Sequence, residues 1–228
     1  MNLSASSTSR DVFVTGATGY IGRRLTAALL ARGHHVRALA RPESAGRVAA
    51  GAATVVGNAL DASTFAPAVT SSDTIVHLVG TPHPSPAKAA EFRRVDLPSI
   101  LASIEAARRA GAAHLVYVSV AHPAPVMQAY IEARSEGERA IAEARLTATI
   151  LRPWYVLGPG HRWPYLLVPV YAVARLIPSK RESARRLGLV TLSQVVNTLV
   201  RAVENPPPTG QIRIIEVPEM RSVPFVSP

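Results

Sequence analysis

Tyr130 and Arg134 are the residues whose types and spacing most directly suggest chemistry. They lie four apart in the stretch AYIEAR, which on an α-helix puts them one turn apart on the same face. A phenol and a cation so placed could work as an acid/base pair. Tyr130 also falls on an apolar stripe that could simply pack on a sheet, formed by Val126, Tyr130, Ala133, Gly137 and Ile141. Both interpretations are open from these residues alone.

A second chemical signal is the glycine-rich stretch TGATGYIG. It places Gly16, Gly19 and Gly22 at three-residue spacing between a short β-branched run, DVFVTG, and a helical pattern. In that context Gly16 permits a tight turn, Gly19 lets the backbone approach a pyrophosphate, and Gly22 lets the helix pack closely on the sheet. We therefore predict a dinucleotide loop that includes Gly16, Thr18, Gly19, Tyr20, Ile21 and Gly22. The alternative is a glycine-rich turn without a ligand.

The end of the second predicted strand bears on which dinucleotide is bound. An acidic residue there would accept a hydrogen bond from a ribose 2′-hydroxyl, whereas an arginine would meet a 2′-phosphate. The sequence has Ala40 and Arg41 at this point. A guanidinium binds phosphate through paired N–H donors, so NADP is favoured and NAD stays possible. Arg41 could also be a solvated surface arginine.

The elements that would position these residues alternate between strands and helices. Strand patterns cover 11–16, 36–41, 53–58, 73–80, 114–120 and 147–153, and helical patterns lie between them, one with a predicted break near Pro98. This alternation predicts an α/β fold, a doubly wound parallel (Rossmann) sheet with ligands at the carboxyl ends of the strands. We expect a flexible leader at 1–10, the dinucleotide-binding domain at 11–157 and a small C-terminal cap at 158–228.

Composition narrows the classes of function. The 228 residues contain no cysteine, which excludes disulfides, thiol nucleophiles and cysteine metal sites and favours a cytoplasmic protein. The net charge of +10 comes from scattered arginines rather than a basic cluster with interleaved aromatics, so nucleic-acid binding is not expected. Only His34 and His35 are close together among the histidines, and they point to different sides, so no metal site is expected.

The most apolar tract, WPYLLVPVYAVARLIP at 163–178, is too short and too interrupted by proline to span a bilayer. Its aromatics suit a lid over an apolar pocket, which we favour. Its basic flanks also allow a peripheral contact with an anionic membrane.

These motifs together resemble the short-chain dehydrogenase/reductase superfamily. More narrowly, the chain is similar to its atypical branch, which includes NmrA-like proteins, sugar-nucleotide-epimerase relatives and an accessory subunit of respiratory complex I. The resemblance runs from about Val12 to Gly160 and rests on TGATGYIG, the arginine closing the second strand, VVGNALD, VDLPSILASIEAARRAG, LVYVSV, the Tyr130 helix and ILRPWYVLGPG.

The resemblance implies further cofactor contacts. In similar proteins an Asp after the third strand binds the adenine amino group. Here Asn58 holds that position, followed by Ala59, and its amide oxygen can still accept that bond. Backbone contacts are expected from Val79, Gly80 and Thr81, and further cofactor contacts from Ser119, Arg134 and Pro153.

The resemblance also implies a catalytic set of tyrosine, lysine and a serine or threonine. Tyr130 matches the tyrosine, which exchanges a proton with the substrate carbonyl, and Arg134 replaces the lysine that holds the nicotinamide ribose. The catalytic hydroxyl falls at Ala121, and His122 could substitute as a donor. Two hypotheses follow: an NADP-dependent oxidoreductase acting on a small or apolar carbonyl compound, or a non-catalytic dinucleotide-binding protein that senses redox state or supports an assembly. The substrate and the oligomeric state are left open.

Overall fold

Seven parallel strands form the central sheet. In this computed structural model, which describes residues 9–159 and 186–223, they are β1 (Asp11–Thr15), β2 (His35–Ala40), β3 (Ala53–Val56), β4 (Thr74–His77), β5 (His114–Val118), β6 (Ala148–Arg152) and β9 (Ile212–Glu216). The strand order is β3-β2-β1-β4-β5-β6-β9. The connection reverses direction between β1 and β4, so the doubly wound fold predicted from the sequence is confirmed.

Helices cover both faces of the sheet. The main ones are α1 (Tyr20–Ala31), α3 (Leu97–Ala110), α4 (Gln128–Glu143) and α5 (Leu192–Glu204). Helices α1 and α5 pack in one apolar core, and α3 and α4 cover the opposite face in a second. Because both faces of the inner strands are covered, nearly every residue of β1, β4, β5 and β6 is buried, whereas the edge strands β3 and β9 are partly exposed.

The helix break predicted near Pro98 is present as a widened turn. A single turn, α2 (Ala89–Glu91), continues into a π-helical segment, Phe92–Asp96, and α3 then begins at Leu97 with Pro98 in its first turn. The backbone N–H of Leu97 donates to the carbonyl of Phe92, five residues back. Proline cannot donate and crowds the preceding turn, and a π-bulge is one way to accommodate it. This segment brings Asp96 under the end of β4.

The C-terminal stretch, predicted as a small cap over the open edge of the domain at 11–157, packs on that domain in its described part. Strand β9 pairs in parallel with β6 and extends the main sheet, and α5 contributes Val195, Leu199 and Val203 to the same core as α1. A capping box between Thr191 and Gln194 starts α5. The apolar faces of the described part of this stretch are therefore buried against β6 and against the core that contains α1.

Two small strands and a short helix complete the described chain. Strand β7 (Tyr155–Leu157) pairs in parallel with β8 (Leu189–Thr191), and α6 (Val217–Ser222) follows β9. Residues 1–8 of the predicted leader and the apolar tract at 163–178 lie outside the described residues, so the lid and membrane-contact hypotheses stay predictions. Within 9–159 and 186–223, none of the helices is both long enough and apolar enough to cross a membrane.

Two histidines are buried in the sheet. The Nδ1 atom of His77 lies 3.0 Å from the hydroxyl of Thr15 and 2.9 Å from that of Ser103, and burial, helped by the charge of Arg134, lowers the pKa of His77 to about 3. The Nε2 atom of His114 lies 2.9 Å from the Thr149 hydroxyl. Burial, with Arg10 and Arg213 nearby, lowers the pKa of His114 to about 4. Both imidazoles are therefore neutral in the folded protein near neutral pH.

These histidines predict acid sensitivity. Unfolding exposes both imidazoles, which then bind protons near their ordinary pKa of 6.5, so the unfolded state holds more protons below that pH. Stability should be fully retained above about pH 6.5 and fall as the pH drops toward the folded-state pKa values, with a loss of about 3 kcal/mol by about pH 5.5. Urea unfolding across this range measures the slope.

Substitution of one buried histidine distinguishes the contribution of His77 and His114 to this pH dependence from the contributions of other titrating groups. His114→Gln removes one of the two titrations and should reduce the slope by about half. The matched control is His35→Gln, which removes an exposed imidazole and should leave the slope unchanged. A slope as steep in His114→Gln as in the parent protein would contradict the assignment.

Candidate dinucleotide site and neighbouring active-site edge

The glycine loop between β1 and α1 is closed against itself and against β4. Gly16 has a φ of +74°, and a Cβ there would lie 2.8 Å from the carbonyl carbon of Leu78. A Cβ on Gly22 would lie 2.1 Å from the carbonyl oxygen of Gly16. These two positions accept only glycine without a shift of the backbone, which is the constraint that the sequence pattern indicated.

The start of α1 can hold an anion. The N-cap residue is Gly19, which is exposed, no side chain caps the helix, and its first turn contains no acidic residue. The first N–H groups and the positive end of the helix dipole therefore face the carboxyl edge of the sheet. Thr18, Tyr20 and Ile21 are half-buried beside this loop. Together the loop and the helix start fit the diphosphate of a dinucleotide.

Arg41 lies at the exposed carboxyl end of β2. Its Nε is 3.1 Å from a carboxylate oxygen of Glu43, and the two side chains are 66% and 61% exposed. Such an exposed ion pair is weak, because water competes for both charges. The guanidinium therefore stays available for a stronger anion.

Asn58 follows β3 in a tightly bonded loop. The Leu60 N–H donates to its amide oxygen Oδ1 at 3.1 Å, and its own N–H donates to the hydroxyl of Thr64 at 2.9 Å. Its neighbour Ala59 packs against the core on the α3 side of the sheet. The amide oxygen that the sequence suggested for adenine is thus already bonded within the loop.

The segment after β4 is held by a buried carboxylate, Asp96, that the sequence analysis did not identify. Asp96 accepts hydrogen bonds from the Thr81 N–H at 2.9 Å and from the Thr81 hydroxyl at 2.6 Å. Its other oxygen accepts from Nη2 of Arg134 at 2.7 Å. Asp96 is 1% exposed, so this ion pair is shielded from water.

The Arg134 side chain points under the end of β4. Beyond Asp96, its Nη1 donates to the Val118 carbonyl at 3.0 Å, and a Cβ on Gly80 would lie only 2.1 Å from Nη2. Burial opposes the charge, but Tyr130, Tyr117 and Asp96 outweigh it and raise the pKa of Arg134 above its ordinary value. The guanidinium is therefore a permanent positive charge in the interior.

Tyr130 lies directly above this charge, as the shared helix face predicted. The Cζ of Arg134 is 5.2 Å from the centre of the Tyr130 ring, and the Phe92 ring packs on it at 4.9 Å. Tyr130 is half-buried against an apolar cluster with Trp154, and the buried members are Val120, Ala121, Ala124, Ile131 and Leu187. Tyr130 thus borders an apolar surface, and its ring makes a cation–π contact with Arg134.

Ser119 is hydrogen-bonded to a second group of ion pairs, formed by Glu138, Arg152 and Glu216. Its hydroxyl donates to Oε1 of Glu138 at 2.5 Å, and Arg152 donates to both oxygens of the same carboxylate at 3.1 and 2.5 Å. Arg152 also reaches Glu216 at 3.1 Å. Burial opposes the charge of Arg152, but the hydrogen bonds and charges of Glu138 and Glu216 raise its pKa overall. Glu138 lies four residues after Arg134 on α4, and therefore on the same helix face. This spacing is the feature of the sequence from which Glu138 could have been predicted to lie near the site.

The position at which the resemblance implies a catalytic hydroxyl holds an apolar side chain, Ala121. Ala121 is fully buried, and its N–H donates to the carbonyl of Pro153 at 2.9 Å. The Nε2 atom of His122 lies 3.6 Å from Glu138 Oε1. Across the described ranges, no group of three or more His, Asp or Glu side chains is placed to hold a metal ion.

Comparison with known proteins identifies the family. The model of the NAD(P)H-binding family matches residues 16–164, more than half of the chain. The chain therefore belongs to this family and contains an NAD(P)H-binding domain.

Curated relatives are reductases. The chain is 33% identical over 175 residues to a 3-diazoavenalumate denitrifying reductase of Streptomyces sp., covering 65% of this chain and 57% of the relative. It is 27% identical to a ceramide reductase of Caulobacter vibrioides, covering 86% of this chain and 61% of the relative. A dihydroquinoline-oxide ketoreductase of Stigmatella aurantiaca is 30% identical, with coverages of 64% and 50%. The chain thus spans about half to three fifths of the length of these curated relatives.

Solved structures share the fold. A short-chain dehydrogenase/reductase superfamily protein from Agrobacterium tumefaciens with bound NAD superposes with a TM-score of 0.66 at 18% identity, covering 91% of this chain and 77% of that one. The enzyme WbmH of Bordetella bronchiseptica, in complex with NAD+, gives 0.65 at 20% identity, with coverages of 86% and 72%. At these identities the comparison supports the fold.

Gly22 provides a direct test of the loop. Gly22→Ala forces a methyl group against the Gly16 carbonyl and should destabilise the protein by about 1–3 kcal/mol while weakening dinucleotide binding at least about tenfold. Calorimetric titration and urea unfolding measure the two effects. The matched control is Gly46→Ala, where a Cβ meets nothing within 4 Å, and it should bind as the parent does. Unchanged binding in Gly22→Ala would contradict the placement of the diphosphate at this loop.

Proposed function

We propose that the chain is an NADP-dependent oxidoreductase that reduces a small or apolar carbonyl compound. The observation that carries this proposal is the position of Tyr130. Its ring contacts the Arg134 guanidinium and borders an apolar surface, at the same edge of the sheet as the glycine loop. The similar curated proteins include a ketoreductase and a ceramide reductase, which supports the reaction class.

The dinucleotide would be held by three parts of this edge. The glycine loop and the start of α1 would bind the diphosphate, Arg41 the 2′-phosphate, and the backbone after β4 the nicotinamide half. When bound, NADPH supplies the hydride. Thr81 is fixed by Asp96, so the backbone at this point is held in place before any ligand arrives.

Tyr130 would donate the proton to the carbonyl oxygen of the substrate. The transfer leaves negative charge on the phenol oxygen, and the Arg134 guanidinium beneath the ring offsets it. Arg134 cannot itself pass on a proton, because its charge is permanent. Renewal of the Tyr130 proton would therefore depend on water or on another group at this edge.

The apolar wall of the site supports an apolar substrate. Val120, Ala121, Ala124 and Ile131 are buried beside Tyr130, and Trp154 packs against them. Ala121 offers no hydroxyl to the carbonyl oxygen, and the loss of one such donor commonly costs about a hundredfold in rate. His122, the next residue, is the nearest replacement in the chain.

Two observations favour a second candidate, a non-catalytic dinucleotide-binding protein that senses redox state or supports an assembly. Ala121 lacks the hydroxyl, and three groups already engage Arg134: Asp96 and the carbonyls of Val118 and Val79. The deciding experiment combines NADPH titration with turnover against a panel of aldehydes and ketones. Turnover supports the oxidoreductase, tight binding without turnover supports the sensor, and absence of binding contradicts both.

Arg41 predicts the choice of cofactor. NADPH should bind more tightly than NADH, because the exposed guanidinium can leave Glu43 for a doubly charged phosphate. Arg41→Ala should weaken NADPH binding by about tenfold and leave NADH binding unchanged. Glu43→Gln removes the competing carboxylate and should strengthen NADPH binding about twofold. Equal dissociation constants for NADPH and NADH in the parent protein would contradict this assignment.

Tyr130 and Arg134 should respond differently to substitution. Tyr130→Phe should leave NADPH affinity within about twofold while abolishing carbonyl reduction, since the hydroxyl serves the substrate. Arg134→Ala should weaken NADPH binding, because the charge and the fixed backbone beside the nicotinamide half are both lost. It should also destabilise the protein by about 3–5 kcal/mol, since the buried Asp96 carboxylate keeps its hydrogen bonds from Thr81 but loses its cationic partner.

A double variant separates folding from binding at Arg134. Asp96→Asn with Arg134→Gln removes both charges together and avoids an unpaired carboxylate. NADPH binding as tight as that of the parent in this folded variant would show that Arg134 is only a structural residue of helix α4.

A further inference from the structure

His122 lies on a backbone segment that is held from two sides. The residue before it, Ala121, donates its N–H to the Pro153 carbonyl at 2.9 Å, and the carbonyl of the residue after it accepts from Nη2 of Arg186 at 3.1 Å. Ala121 also belongs to the buried apolar cluster against which Tyr130 packs. The imidazole side chain is 23% exposed, so part of the ring is open to a ligand at this edge.

One ring nitrogen of His122 is buried without a hydrogen bond. Within the described chain, Nε2 has no hydrogen-bond partner, and the carboxylate oxygen Oε1 of Glu138 faces it at 3.6 Å. That oxygen already accepts from the Ser119 hydroxyl at 2.5 Å and from Nε of Arg152 at 3.1 Å, which together occupy its two lone pairs. The contact with His122 is therefore one of charge rather than a hydrogen bond, and it is favourable when the imidazole is protonated.

The Glu138 carboxylate determines how the imidazole can donate. A neutral imidazole has a hydrogen on only one ring nitrogen. With Oε1 opposite Nε2, that hydrogen is favoured on Nε2, because a lone pair there would face a negative charge. Nδ1 is then an acceptor, and it becomes a donor only in the imidazolium form, which has hydrogens on both nitrogens. Glu138 is 10% exposed and bonded to Arg152 through both oxygens, so the carboxylate is held in a fixed position.

We infer that His122, as the imidazolium, donates through Nδ1 to the carbonyl oxygen of the substrate in place of the hydroxyl that residue 121 lacks, and that Glu138 positions it. Tyr130 transfers its proton to that oxygen, whereas His122 keeps its own and stabilises the negative charge that develops there. His122 is then a catalytic residue and Glu138 a positioning residue. This inference rests on the proposed carbonyl reduction.

An imidazole donor predicts a pH dependence that a hydroxyl donor would not give. A serine hydroxyl donates throughout the range near neutral pH, whereas an imidazolium loses its proton in this range. The charged groups that the described chain places around His122 are Glu138 on α4, Arg152 on β6, Glu216 on β9 and Arg186 before β8, and Glu138 is the one that faces Nε2. The rate of carbonyl reduction should therefore fall as the pH rises and the imidazolium is lost.

Turnover of the full chain with NADPH and a carbonyl compound that the parent reduces tests the donor role. His122→Ala should lower kcat by about a hundredfold and leave KM and NADPH affinity within about threefold, because the lost bond acts on the charge of the transition state. It should also remove the fall in rate with rising pH. The matched control is His35→Ala, which removes an exposed imidazole at the start of β2, at the opposite edge of the sheet, and should keep the rate and its pH dependence.

Further variants separate donation from a structural role. Ala121→Ser in the His122→Ala background restores a hydroxyl and should recover at least about tenfold in rate, without the pH dependence of an imidazole. Glu138→Gln removes the carboxylate that faces Nε2, so the imidazolium is less favoured and the fall in rate should begin at lower pH. Glu216→Gln is its control, because it neutralises the other carboxylate on Arg152 and should leave the pH dependence in place.

Urea unfolding checks that each variant is folded at the pH of the assay. A His122→Ala variant as fast as the parent overturns the inference, and so does one that keeps the pH dependence of the parent. In both cases the parent still reduces the carbonyl compound, so the proposed function stands. A parent that binds NADPH and reduces no carbonyl compound contradicts the proposed function itself, and the inference with it.

Discussion

The buried ion pair between Asp96 and Arg134 is the contact on which the candidate site at the carboxyl edge of the sheet depends. It joins the π-helical segment before α3 to helix α4, and through the other bonds of the two side chains it holds Thr81 after β4 and Val118 in β5. Both charges are withdrawn from water, so each is tolerated only because the other is present. A mutual dependence of this kind fixes the relative positions of four elements that are far apart in sequence.

Around this pair the edge divides into a polar and an apolar half. The polar half holds the glycine loop and the exposed Arg41, which suit phosphates. The apolar half holds Tyr130 and Trp154 beside Val120 and Ala124. This division follows from the topology, because the chain reverses at β1 and β4 and sends its two halves to opposite sides of the crevice.

Local signals in the sequence predicted much of this arrangement. Gly16 and Gly22 were recognisable because a tight turn and close packing leave glycine no substitute, and the break near Pro98 followed from a missing N–H. The partner of Arg134 was not predictable, since Asp96 lies 38 residues away and nothing local marks it as buried. The pairing of β9 with β6 was not predictable for a similar reason, because these strands are more than 60 residues apart in the chain. Long-range pairing is decided by the assembled core, which local patterns do not describe.

The absence of a side chain at Gly80 leaves room for the charged group of Arg134. The absent Cβ at this position is the volume that Nη2 of Arg134 occupies, at a separation of 2.1 Å from where that carbon would be. A side chain at 80 and a guanidinium reaching from 134 toward Asp96 therefore exclude each other in this backbone. A larger residue at 80 therefore requires the side chain at 134 to leave its present course toward Asp96, so the choice of residue at either position constrains the choice at the other.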